Sequence, residues 1–148
     1  MTASTMAHNI IQIFRRSNYM TTTKSQVPYV VHGPQDPSNT IQSRGMVRQP
    51  AITKDTGTTK VWFGMVTGAP NEMGQPHHHG EAETAAYVLT GKVRVYYGED
   101  FKEYIEAGPG DFLFVPPYTP HIEGNPYDEE HSVILARAPD NIVINLGE

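Results

Sequence analysis

The chain has 148 residues, 38% of them apolar, a formal charge of −5 and no cysteine. That length suits one domain able to bury a core without cross-links, and the missing cysteine excludes disulfides, thiolate metal ligands and a cysteine nucleophile. There is no Lys/Arg run to follow a phosphate backbone, no apolar stretch near the ~20 residues of a membrane helix and no secretory h-region. Nucleic acid and membrane are therefore poor partners, and a cytoplasmic protein handling a small molecule is expected.

Residues 1–26 are rich in Ser, Thr and Asn, with one apolar run at Ile10–Phe14 and then Arg15-Arg16. They read as a flexible N-terminal extension carrying His8, ahead of a single domain over residues 27–148. The stretch from Val31 to Gln49, with His32 beside a Gly-Pro turn, reads as irregular cover or an arm. Beyond it come short runs bounded by Gly, Pro, Asn and Asp: Lys60–Val66, Ala85–Leu89, Lys92–Tyr97, Phe112–Val115, Ser132–Ala136 and Asn141–Ile144. β-Branched and aromatic residues dominate them and no long window keeps a 3.6-residue period, so the fold class is all-β, a sandwich or closed barrel. The short link Thr90-Gly91-Lys92 predicts that its flanking strands pair as a hairpin.

His77 and His79 are two residues apart. In extended backbone both imidazoles point to one face and His78 to the other, which suits a chelating pair. Neutral imidazole is a common transition-metal ligand. His121 follows an apolar strand and the stiff segment Pro116-Pro117-Tyr118-Thr119-Pro120, where proline restricts the backbone and would hold a third ligand in place. On residues alone a polar loop and a hydrogen-bonded strand-end histidine remain an alternative. His131, in an acidic segment, reads as a surface histidine; Arg48 and Arg94, weighed as anchors for an anionic substrate, read as surface residues too.

The stretch Gly74-Gln75-Pro76-His77-His78-His79-Gly80-Glu81-Ala82-Glu83, leading to Tyr87-Val88-Leu89-Thr90-Gly91, resembles the first motif of the cupin superfamily. Gly110, Pro116, His121 and Asn125 resemble the second, with Tyr118 where the family usually has Gly. Together the motifs run from Gly74 to Asn125. The resemblance implies a single-domain jelly roll, a double-stranded antiparallel β-helix barrel. It also implies one divalent transition metal per chain near the open end, held by His77, His79, Glu83 and His121.

The implied ion is Fe2+ first, with Mn2+, Ni2+ or Zn2+ as alternatives. Counting back from Gly91 along the family pattern lands on Thr84 rather than Glu83, so Glu83 reaches the metal only through a bulge. Glu81 is a lesser substitute, and a three-histidine face is the remaining outcome. The function implied is a small-molecule enzyme, dioxygenase-like on an enolisable or aromatic substrate. Alternatives are a metal-dependent isomerase, lyase or decarboxylase in which Glu83 or Tyr118 moves the proton, and a sugar or small-ligand binding module. Pairing into a homodimer is also expected.

Overall fold

Runs rich in β-branched and aromatic residues, broken every few positions by a turn former, fold as strands. The computed structural model describes residues 27–33, 40–43 and 45–147, and the extension expected over residues 1–26, with His8, lies outside them. In chain order the strands are β1 (Thr40–Ser43), β2 (Met46–Ile52), β3 (Trp62–Gly68), β4 (Glu72–Met73), β5 (His77–His78), β6 (Glu83–Thr90), β7 (Val93–Tyr97), β8 (Glu103–Ala107), β9 (Phe112–Val115), β10 (Ile122–Asn125), β11 (His131–Ala138) and β12 (Ile144–Asn145). A single 3-10 turn, Glu99–Phe101, is the one helical element among the described residues.

One sheet runs β1-β2-β3-β11-β6-β9, a second β4-β10-β7-β8, and β12 pairs with β5. Each pairing is antiparallel. The result is an all-β jelly roll. Alternation along the strands sends one side chain in two toward the interior. On β6 the inward residues are Thr84, Ala86 and Val88, and on β11 they are His131, Val133, Leu135 and Arg137. Met46, Val66, Val88, Val93, Val95 and Leu135 are among the buried residues that fill the core, each fully buried aliphatic contributing about 1.5–3 kcal/mol.

Three expectations change. The strands flanking Gly91 do not pair as a hairpin: β6 bonds to β11 and β9, and β7 to β10 and β8, so the link crosses between sheets. Its glycine serves that crossing, with φ of 65° and a position where a Cβ would lie 2.4 Å from the Glu130 carbonyl oxygen. The stretch from Val31 to Gln49, expected to be irregular, contains β1 and the start of β2, and β2 pairs along β3. The last run, expected as Asn141–Ile144, contributes only the short β12.

Candidate metal centre

The backbone N–H groups of His77 and His121 each donate to the other residue's carbonyl, at 3.0 and 2.9 Å. This antiparallel bridge sets the two imidazoles side by side, with ring centroids 4.5 Å apart. His79, two residues along, joins the same face, its centroid 4.9 Å from each of the others. His78 turns away as alternation requires, and its Nδ1 accepts the Gly80 N–H at 2.9 Å. Glu123 follows His121 by two residues on β10 and so shares its face. One donor atom from each of His77, His79, His121 and Glu123 lies within 4.8 Å of the others.

The hydrogen bonds decide the tautomers. Nδ1 of His77, His79 and His121 lies 2.8 Å from the carbonyl oxygens of Gln75, Ile142 and Thr119 respectively. A carbonyl can only accept, so each Nδ1 carries the proton and each Nε2 presents a bare lone pair. All three Nε2 atoms are buried without a hydrogen-bond partner. Buried acceptors cost free energy unless something satisfies them, and converging lone pairs call for a cation. Orienting carbonyls behind imidazole ligands are what metal sites use to fix ring and tautomer.

The electrostatics agree. Burial above all holds His77 and His79 below the usual imidazole range, His79 down to about 3 with the Arg137 charge assisting, so both stay neutral. Burial alone would raise the Glu123 carboxyl, but the surrounding positive groups, Arg48 foremost, pull it well below the usual carboxylate range. Arg48 Nη2 lies 3.3 Å from Glu123 Oε2. Neutral imidazoles and an ionised carboxylate form a nitrogen and oxygen donor set suited to a divalent transition metal, and the buried cluster can hold one.

Beside His121 a pocket of about 250 Å³ is walled by Tyr97, Ile105, Phe114, Val115, Pro116 and Thr119. Its walls are mostly apolar, the usual lining of a small-molecule site. A void of about 30 Å³ in the barrel interior touches Glu123, Thr84 and His131.

The structure brings together His77, His79 and His121 but not Glu83. Glu83 opens β6 on its exposed phase, and its pairing with β11 is regular from Glu83 to Val88, with no bulge to turn it inward. Thr84 takes the inward position instead, and the carboxylate comes from Glu123, which the sequence reading missed. Its signal was the spacing of two residues after His121 on a strand. Glu81 is exposed as well. Tyr118 stands at the rim, 66% exposed, its ring 6.5 Å from that of His78. Its φ of 55° explains why this turn position favours glycine.

Two further expectations are corrected. His131 is buried rather than superficial, because it starts β11 on the inward phase, and Arg48 is buried beside Glu123. Asn125 pins a loop: its Nδ2 donates to the carbonyls of Gly68 and Glu129 at 3.0 and 2.8 Å. Arg94 lies on the outer side of β7, its guanidinium 4.2 Å from the Tyr104 ring centroid.

Residues 64–136 match the family model described as the cupin domain. The chain belongs to the cupin superfamily. Among curated relatives, this cupin is 33% identical over 110 residues to germin-like protein subfamily T member 3 of Arabidopsis thaliana, covering 69% of this chain. It spans about half that relative's length, 48%. Among solved structures it resembles the polyketide cyclase RemF from Streptomyces resistomycificus, with a TM-score of 0.63 and 21% identity over 80% of this chain and 81% of that one. It also resembles oxalate decarboxylase from Bacillus subtilis, with a TM-score of 0.59 and 24% identity over 72% of this chain and 29% of that one. These likenesses carry the fold. No helix among the described residues is long and apolar enough to cross a membrane.

Proposed function

We propose that this cupin is a metal-dependent enzyme acting on a small molecule, with one divalent transition metal, Fe2+ first, held by His77, His79, His121 and Glu123. The observation that carries the proposal is the set of three buried Nε2 lone pairs facing one another beside an ionised carboxylate. A bound metal would supply Lewis acidity toward substrate oxygens and, as Fe2+, redox chemistry with dioxygen.

The chain's own residues orient the ligands and line the approach. The Gln75, Ile142 and Thr119 carbonyls lock the imidazoles, and Arg48 keeps Glu123 ionised. Phe114, Ile105 and Pro116 give the approach to His121 an apolar lining that matches an aromatic ring or an apolar chain. A dioxygenase acting on an enolisable or aromatic substrate fits these walls best, because no carboxylate among the described residues lines that pocket to serve as a base. The second reading, an isomerase, lyase or decarboxylase using Mn2+, Ni2+ or Zn2+, is favoured by the Tyr97 phenol in the wall and by Tyr118 at the rim as proton carriers.

Elemental analysis of protein purified without added metal, beside His121→Ala, tests the site. About one equivalent is expected in the parent and a large loss in the variant; full occupancy in the variant refutes the ligand set. Anaerobic Fe2+ reconstitution followed by oxygen uptake with aromatic and β-diketone substrates then separates the readings. Uptake supports the dioxygenase, and metal-dependent turnover without uptake supports the second reading.

A further inference from the structure

We propose that Arg137 forms a carboxylate-binding subsite in the barrel interior, so that the ligand is a small carboxylic acid with a second oxygen donor directed at the histidine cluster. The second oxygen donor rests on the metal reading above, whereas the carboxylate contact stands without it.

Arg137 sits on the inward phase of β11 and is 1% exposed. Its Nε donates to Thr84 Oγ1 at 2.7 Å and its Nη1 to Asn141 Oδ1, both neutral acceptors. Its Nη2 is buried and has no hydrogen-bond partner. Among the described residues no carboxylate forms a salt bridge with it, unlike Arg48, which has Glu123. A buried guanidinium without a counter-ion is costly, and an unsatisfied donor adds to that cost.

The charge on Arg137 sets the sign of the partner it takes. It brings a buried positive charge beside the cluster that no carboxylate within salt-bridge distance offsets among the described residues. A divalent ion adds to that positive charge, so the partner called for is an anion. Guanidinium binds carboxylate best, through parallel N–H donors in a planar fork.

Arg137 also stands next to the cluster through shared residues. Asn141 holds Nη1, and the carbonyl of the following residue, Ile142, holds Nδ1 of His79. Thr84, which accepts from Nε, lines the same interior void as Glu123. On the other side Arg137 borders a groove of about 170 Å³ whose wall includes Phe114, which also walls the pocket at His121. Phe114 is 55% exposed, so the side of Arg137 that faces this groove is the one nearest solvent.

The probe is malonate, a dicarboxylate, titrated calorimetrically into Zn2+-loaded and metal-free protein, with imidazole as a neutral metal ligand for comparison. Arg137→Gln is expected to weaken malonate binding at least tenfold in both forms, leaving imidazole affinity and metal content of the loaded form unchanged. Arg137→Lys, which keeps the charge but loses the fork, is expected to weaken it severalfold and serves if Arg137→Gln does not fold. Malonate affinity within twofold of the parent in the folded variant overturns the subsite, because a purely structural Arg137 would alter stability alone. Arg137-dependent malonate binding by a parent that takes up none of Fe2+, Mn2+, Ni2+ and Zn2+ supports the subsite and overturns the metal reading.

Discussion

Glu123→Gln removes the negative charge from a buried cluster while nearly preserving shape. Arg48 Nη2 lies 3.3 Å from Glu123 Oε2, and their side chains are 1% and 15% exposed. At an effective dielectric near 20, unit charges at that separation attract by about 5 kcal/mol. Desolvation offsets much of this in forming the pair, but removing one charge of a buried pair typically costs about 3–5 kcal/mol. Because Gln keeps an acceptor for the guanidinium, a loss of about 3 kcal/mol is expected in metal-free protein, on the order of 1–2 M in urea midpoint. Equilibrium urea unfolding of EDTA-treated parent and variant measures it. Arg48→Met/Glu123→Leu, which removes both charges, should cost less than the single changes combined. A loss below about 1 kcal/mol with native circular dichroism would refute the claim that Arg48 depends on this carboxylate.

The remaining predictions concern pH, packing and the rim turn. His79 stays neutral in the fold down to about pH 3, and His77 and His131 are lowered in the same direction, all chiefly by burial. The unfolded chain takes these protons near pH 6.5, so stability falls as pH drops through the window between the unfolded and folded values, by about 1.4 kcal/mol per unit for His79 alone. Denaturation of metal-free protein at pH 7.5, 6 and 5 should show it, whereas a flat profile would contradict the neutral imidazoles. Glu123, held low in the fold, adds a loss of the same sign only below the usual carboxylate range. Gly64→Ala places a Cβ 2.5 Å from the Gln49 carbonyl oxygen and should cost about 1–3 kcal/mol by thermal or urea unfolding. Tyr118→Gly relieves a φ of 55° and should leave stability unchanged or raise it by up to about 1 kcal/mol; a clear loss would show that the ring packs usefully on the rim.

Local chemistry in the sequence determined the strand class and the donor type. Without cysteine the candidate ligands had to be nitrogen or oxygen, and a period of two separated His77 and His79 from His78. His121 was legible because a second motif followed the first at a fixed interval. The carboxylate was not legible, because the choice between Glu83, Thr84 and Glu123 depends on which phase of β6 and β10 faces the interior. That phase is set by pairing with β11 and β7, strands distant in sequence. For the same reason the link at Gly91 looked like a hairpin, although each flanking strand finds its partners elsewhere. Arg48 and His131 read as surface residues because charge predicts exposure. Only the closed barrel shows them buried, with Arg48 facing Glu123 and the Arg137 Nη2 still without a partner.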